Sequence, residues 1–355
     1  MSRIQILLWS KYVVLALLLI GATLLLLPKN DLEFYETNVA PKITIKTTNV
    51  QKDYNLLFMG DTMVARGVGD LIVNGTDPYA QVADVVASYD LKIANIETTI
   101  APPEYAVQAK GKAYTFNAPI QTVETLKKHI DIAVLANNHT KDFGAQATSA
   151  MLDVFKAHSL QTVGAGKNVT EAFSPLIVTL GDGIKNPIVK VAFIALNDIE
   201  NNYTIATASG AGSAYFDDQK ILTSINSAKN AGAQVVVAVC HWGIEYTNVP
   251  TAVQKKWAHF LIDNGVDVVI GGHPHVVQPN EIYKQKPIVY SMGNFIFDGM
   301  SGDALNGQMI GVTVHASANF NKSSKAPLLA NNAQVQNTVK NIPIAISSKG
   351  FPYLK

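Results

Sequence analysis

Six apolar runs of strand type each carry, at or near their ends, groups able to bind a metal. YNLLFMGD leads to Asp61, LKIANIE to Glu97, IDIAVLANNH to Asn138 and His139, AQVVVAVCHWG to His241, VDVVIGGHPH to His273 and His275, and PIVYSMGN to Asn294. Carboxylate, amide oxygen and imidazole without thiolate form a hard-to-borderline ligand set, suited to Zn, Mn, Fe or Mg alike. A divalent ion in such a set can ionise a bound water near neutral pH and polarise a phosphoryl or carbonyl oxygen, so hydrolysis or group transfer is the chemistry to expect. Taken singly, several of these residues have duller uses. An Asp after a strand commonly caps a helix or makes a turn, and Glu97 could face solvent. His273 and His275, one residue apart, point to the same side in extended geometry and can approach one ion or two adjacent ions. Asp142, three residues after His139, is placed either to orient that imidazole or to cap the helix that follows. His129, His158, His259 and His315 stand in no such cluster and read as ordinary surface or core histidines.

Scattered positions meet only if a fold gathers strand ends. In sheets covered by helices, the loops after the strand carboxyl ends aim side chains into one crevice. Beyond Tyr54, strand-like runs alternate with helix-like ones at 79–88, 120–129, 143–158, 218–231 and 253–264, which favours an α/β architecture with largely parallel strands. Gly181-Asp182-Gly183 between two apolar runs predicts an antiparallel hairpin, so the sheets are expected to be mixed. The segment 308–320 alternates as a strand, whereas 321–340 is rich in Asn, Ser, Lys and Ala and reads as a loop or surface extension. Gly164-Ala165-Gly166 lacks the Walker spacing, with Lys167 following at once, and is not expected to hold a nucleotide.

The chain opens with a membrane signal. Arg3 and Lys11 precede an unbroken apolar stretch over 12–27, and Pro28-Lys29-Asn30-Asp31 returns the chain to water. As a helix this core spans roughly 24 Å at ~1.5 Å per residue, and the apolar residues 4–9, with Lys11 snorkelling, extend it to a full span. No small-residue cleavage site follows, so an uncleaved single-pass anchor is expected in preference to a cleaved signal peptide. The preceding positive charge puts residues 1–11 in the cytoplasm and the main domain outside it. Residues 28–53 read as a linker.

Composition sets broad limits. Twenty-eight Lys and Arg against 27 Asp and Glu give no basic excess, which argues against a nucleic-acid partner. Cys240 is the single cysteine, so no intramolecular disulfide is available, and its apolar run predicts a buried, unreactive thiol.

GDTMVARGV, ANIETTI, KAYTFNAP, LANNHTKDFG, TVGAGKNVTEAFSP, VCHWGIEY, IGGHPHVVQP and YSMGNFIFD, in that order, resemble the motifs of the CapA capsule-synthesis proteins of bacterial poly-γ-glutamate production. The resemblance runs from Tyr54 to Asp298. It implies a calcineurin-like metallophosphoesterase fold over 54–320, a four-layer αββα sandwich with mixed sheets, preceded by the transmembrane helix and followed by a C-terminal extension at 321–355. It further implies one complete metal pocket of Glu97, Asn138, His241 and His273. A second pocket keeps Asp61, Glu97 and His275, but Met63 stands where the wider superfamily has a histidine ligand, so a second ion is expected to bind weakly or not at all. His139 takes the proton-donor position. Arg66, Lys112 and Glu245 lie in the motifs as candidate substrate-binding groups, Trp242 as a residue packing over the ligand, and Asn294 as a residue that either holds a loop or touches substrate. The expected partners are an anionic capsule polymer and membrane subunits of a synthesis or export complex. The rivals are a non-catalytic polymer-binding or assembly subunit and a cell-surface phosphoesterase.

Overall fold

The computed structural model describes residues 47–105, 112–321 and 326–355. The anchor expected at 12–27 and the linker up to residue 46 lie outside the described residues. Among the described residues, no helix is long and apolar enough to cross a membrane.

The strands in chain order are β1 (Thr47–Thr62), β2 (Leu91–Ile96), β3 (Ile132–Val134), β4 (Gln161–Val163), β5 (Ala165–Gly166), β6 (Leu176–Leu180), β7 (Val189–Asn197), β8 (Gly212–Ser213), β9 (Val235–His241), β10 (Val268–Gly272), β11 (Asn280–Tyr283), β12 (Lys286–Val289), β13 (Asn294–Ile296), β14 (Asn306–Asn321), β15 (Asn332–Val335), β16 (Lys340–Ile346) and β17 (Pro352–Leu354). Two mixed sheets result, with β5 and β8 forming a separate two-stranded antiparallel one. The larger runs β17-β16-β14-β1-β2-β3-β4, with β13 also on β1 and β15 on β14, and the smaller runs β11-β12-β10-β9-β7-β6. Strands β1 to β4 are mutually parallel, as are β7, β9, β10 and β12. The Gly181–Gly183 hairpin forms as expected, joining β6 and β7 antiparallel.

Alternation along the strands builds three apolar cores. Leu56, Phe58, Ile93 and Val134 of the large sheet share one cluster with Val191, Phe193, Val237 and Ile270 of the small sheet. The opposite side chains of the large sheet, Leu57, Met59, Ala94 and Ala133, pack with Val68, Leu126, Met151 and Phe155 from the helices Arg66–Val73, Thr122–His129 and Gly144–Ala157. Those of the small sheet, including Val236, Ala238 and Cys240, pack with Ile221, Ile225, Leu261 and Ile262 from the helices Asp218–Asn230 and Ala252–Asp263. Full burial of a Leu, Ile or Phe side chain contributes about 1.5–3 kcal/mol, so these clusters supply the main driving force for bringing the strand ends together.

Several expectations need correction. The helix Arg66–Val73 was not expected because it is only eight residues long and contains two glycines, although Val68, Gly69 and Ile72 share its buried face; a Cβ at Gly69 would sit 2.7 Å from the Val64 carbonyl, so close approach fixes that glycine. Strand β1 starts at Thr47, inside the expected linker, because its polar first residues pair in register with the far end of β14, Thr47 opposite Asn321. The C-terminal residues are not a surface extension. β15 pairs with β14, β16 pairs with both β14 and β17, and Ile344, Ile346 and Phe351 enter the core. Polar edge strands with one solvated face carry too little hydrophobic contrast to be read from sequence.

Candidate metal centre

Register alone brings the candidate ligands together. Asp61 lies opposite Asn95 on β2 and opposite Asn294 on β13, while in the small sheet His241 lies opposite both Gly272 and Asn197. Two glycines let the strand ends close on each other. A Cβ at Gly60 would fall 2.1 Å from the Gly293 carbonyl oxygen, and one at Gly272 would fall 2.5 Å from Asp61 Oδ1. The chain also turns sharply here: His273 and His275 both have positive φ, 95° and 58°, a conformation that side chains other than glycine pay to adopt.

All six expected ligands are buried: Asp61, Glu97, Asn138, His241, His273 and His275 are each 6 % exposed or less. Two groupings could hold an ion, Glu97 with His241 and His273, and Asp61 with Glu97 and His275, each with its donor atoms within 4.8 Å of one another. Asn138 joins the first, its Oδ1 accepting from His241 Nε2 at 2.8 Å. Glu97 is shared. Its Oε1 lies 3.5 Å from His241 Nε2, 3.9 Å from His275 Nε2 and 4.0 Å from His139 Nε2, yet both of its oxygens are buried without a hydrogen bond, as is His273 Nδ1.

A scaffold of amides aims these groups. Asn95 Nδ2 donates to Asp61 Oδ1 at 2.7 Å and lies 3.1 Å from His241 Nδ1, and Asn137 Nδ2 donates to Asn95 Oδ1 and to the Ile96 carbonyl. His273 N–H donates to Asp61 Oδ2 at 3.0 Å. His275 Nδ1 lies 2.8 Å from Asn294 Oδ1 and 3.5 Å from Asp61 Oδ2; the first is its hydrogen bond, which leaves Nε2 turned toward Glu97. Asn294 therefore acts by fixing an imidazole.

The electrostatics follow from crowding charges in a dry site. Burial would raise the Asp61 carboxyl, but the neighbouring His275 imidazole, the charge of His241 and the hydrogen bond from the Asn95 amide outweigh it and bring it down to about 2. Burial would likewise lower His275, yet the Glu97 charge and Asp61 carry it up to about 9. His273 is held well below its ordinary value, first by burial and then by the neighbouring His241 and His275. A neutral His273 has a lone pair to offer a cation.

His139 stands beside the candidate ligands. Its Nδ1 donates to Asp142 Oδ2 at 2.7 Å and its ring packs 4.3 Å from Phe116. Asp142 thus orients the imidazole; the residue at the helix N-cap is Phe143. Lys112, expected among the substrate-binding groups, has its ammonium 2.5 Å from Asp142 Oδ1, 2.5 Å from the Asn138 carbonyl and 2.9 Å from Glu200. Arg66 pairs with Asp298 and stacks 4.8 Å over Phe116 and 5.8 Å over Phe297, the ring that packs on His275, with its side chain 39 % exposed. Glu245 is exposed on the loop after β9, next to Tyr246, whose ring lies 6.0 Å from His275. Trp242 does not cover a ligand: it is buried against Phe216 and Tyr290, and its indole N–H donates to the Tyr290 carbonyl. Met63 is buried in the core, its sulfur accepting from the Ala65 N–H, so its thioether serves packing. Cys240 is buried and burial pushes its thiol well up. The four remaining histidines do have ordinary roles, His129 against Tyr79 and Asp77, His158 on the Val154 carbonyl, His259 against Tyr283 and Glu281, and His315 on Asp53. Phe116 and Phe297 lie inside the motifs KAYTFNAP and YSMGNFIFD, but their contacts, and the part played by Glu200, are revealed only by the packing.

Fold and cluster together define an α/β protein with mixed sheets and a buried carboxylate–imidazole centre at the strand ends. The profile of a family described as "Bacterial capsule synthesis protein PGA_cap" matches residues 55–299, and the chain belongs to that family. It is 32 % identical over 250 residues to the capsule biosynthesis protein CapA of Bacillus anthracis, a match that covers 68 % of this chain and 59 % of the relative. It is 31 % identical over 251 residues to the PGA biosynthesis protein CapA of Bacillus subtilis, covering 68 % and 62 %. The matched region thus spans about 60 % of the length of these relatives. Among solved structures, a calcineurin-like phosphoesterase of Bacillus subtilis, YfkN, is similar at a TM-score of 0.47 and 16 % identity, over 82 % of this chain and 91 % of that one.

Proposed function

We propose that the protein is a divalent-metal hydrolase or transferase that acts outside the cytoplasm in the synthesis, release or export of an anionic capsule polymer, poly-γ-glutamate. Family membership supports the polymer and the names of the Bacillus relatives support the setting. The observation that carries the chemistry is Glu97. A carboxylate with both oxygens buried and unpartnered costs stability, about 1–3 kcal/mol or more for a charged group, unless a cation supplies the missing partner. The residues present fit such a cation: Glu97, Asn138, His241 and His273 would hold it, with Asp61, Glu97 and His275 as a weaker second position.

When bound, a divalent ion supplies Lewis acidity and a nucleophilic water. The chain's own groups do the rest. Cleavage of an amide or phosphoester leaves an amine or alkoxide that needs a proton, and His139, held by Asp142 with Nε2 facing the Glu97 side, is placed to deliver it. Arg66 offers a half-exposed guanidinium for a polymer carboxylate or a phosphate, released from Asp298 as the anion arrives. Glu245, exposed beside Tyr246, is a further candidate for contact with substrate. An anchor at 12–27 would hold the domain at the outer membrane face beside membrane subunits of the capsule machinery.

The test is polymer production and chain release in cells carrying His139→Ala, with surface level and metal content matched to the unmodified protein. A fall of roughly 10²–10⁴-fold in processing is expected. Normal capsule in that strain would overturn catalysis by His139 and leave polymer binding or assembly as the role of the site.

A further inference from the structure

Lys112 sits at the junction of three groups that the reaction needs in fixed positions. Its ammonium reaches the Asp142 carboxylate, the backbone carbonyl of Asn138 and the Glu200 carboxylate at 2.5, 2.5 and 2.9 Å, and its side chain is only 12 % exposed. Four residues further along the same loop, the Phe116 N–H donates to the other Asp142 oxygen at 2.7 Å, and the Phe116 ring lies against His139. Asp142 itself is fully buried and gives the same Oδ2 to His139 Nδ1. The loop therefore grips Asp142 through both oxygens. Asp142 in turn grips His139, and Phe116 limits the tilt of the ring.

We infer that Lys112 is a positioning residue, which sets the orientation and tautomer of His139 through Asp142 and does not touch substrate. Three features support this. Two ammonium protons go to the Asp142 carboxylate and the Asn138 carbonyl, and the Glu200 carboxylate pairs with the same charge at 2.9 Å, so an incoming anion would have to displace a carboxylate already there. The ion pair with Asp142 is nearly dry, and a buried carboxylate that loses its cation recruits water or rotates to find another donor, which would free the imidazole it holds. Glu200 belongs to the loop after β7, in the small sheet, whereas Asp142 and Asn138 follow β3 in the large one. Lys112 thus ties His139 to both sheets, the arrangement that a proton donor requires if its position is to be reproducible within about half an ångström.

The kinetic part of the test rests on the hydrolytic reading above, and the spectroscopic part does not. In protein labelled with ¹⁵N-histidine, the His139 Nδ1–H resonance, hydrogen-bonded to Asp142, is expected to be sharp and protected. It should broaden or disappear in Lys112→Met and return in Lys112→Arg, with the other imidazole signals retained. With bis(4-nitrophenyl) phosphate as the probe substrate, Lys112→Met should lower kcat roughly 10- to 100-fold and leave KM within about twofold. In a His139→Ala background the same change should cost no more than about twofold, because the residue it positions is gone. An unaltered His139 signal in Lys112→Met overturns the inference, as does an undiminished loss in the His139→Ala background or a raised KM, which would return Lys112 to the substrate. Should Lys112→Met fail to fold, Glu200→Gln, at a partly exposed position, gives the same readout with a smaller expected broadening, and no change there is again contrary. If the parent protein turns over no substrate while the His139 signal still depends on Lys112, the positioning role stands and the enzymatic reading falls.

Discussion

Glu97 concentrates the physical argument of the site in one side chain. It is fully buried at the carboxyl end of β2, shared by both ligand groupings, and neither oxygen has a hydrogen bond. Such a residue is a liability without a cation and an anchor with one. Glu97→Gln should therefore have opposite effects in two conditions. In chelator-treated protein, relief of the unpartnered carboxylate should raise Tm by about 2 °C or more, at the scaling of a few degrees per kcal/mol that suits domains of this size. In the presence of Mn or Zn, the same variant should lose the metal-induced rise in Tm that the parent protein shows. His241→Ala and His273→Ala should weaken metal affinity ~10-fold or more, since even the loss of an outer partner has that effect. Calorimetry with and without chelator measures all of these, and a Glu97→Gln protein that still gains stability from the ion would remove Glu97 from the ligand set. Residue types alone pointed to this group, because carboxylates and imidazoles that follow apolar strands have few other reasons to cluster.

Elements decide where those residues go. The candidate ligands at the ends of β1, β2, β3, β9 and β10 converge because parallel strands end at one edge and because Gly60 and Gly272 admit a close approach there. At the opposite pole of one strand pair, the β6–β7 hairpin shows how a single side chain fixes register. Asp182 Oδ1 accepts the backbone N–H groups of Ile184, Lys185 and Asn186 at 2.8, 2.8 and 2.9 Å, and these bonds hold its carboxyl below the usual carboxylate range. A depressed folded-state value means that the contribution is present above the unfolded value, near pH 4, and is lost as pH falls through the folded one. Asp182→Ala should accordingly lower Tm at pH 7, and the gap from the parent protein should narrow as pH is brought below about 4. A gap that is constant with pH would show that the turn is held by its glycines alone. The hairpin was legible because Gly-Asp-Gly between two apolar runs is a local signal. The C-terminal strands β15 to β17 were not, since their pairing is supplied by distant partners, β14 for β15 and β16, and β16 in turn for β17.

On the scale of the whole molecule, topology in the cell is the open quantity that sequence addresses most directly. Arg3 and Lys11 before an apolar stretch with no small-residue cleavage site predict that a reporter fused after Lys355 is active outside the cytoplasm, and that the mature protein keeps residues 12–27. N-terminal sequencing and fractionation check both; a soluble product starting near residue 30 would reject the anchor and keep export. What the sequence by itself determined was chemistry and local order: the ligand types, the six strand ends that bear them, the buried Cys240, the hairpin, and a motif series that names the family. These are properties of residue type and short spacing, so they survive without coordinates. Tertiary structure alone decided which groups face one another. That Asn294 holds His275, that Trp242 packs in the core, that Lys112 is committed to Asp142, Asn138 and Glu200, and that Phe116 bears on His139 are outcomes of how the sheets, their helices and the loops at the strand ends pack together. Contacts between residues tens of positions apart in sequence, 19 for Asn294 and His275 and 48 for Trp242 and Tyr290, are set by strand register and core packing, and no local pattern encodes them.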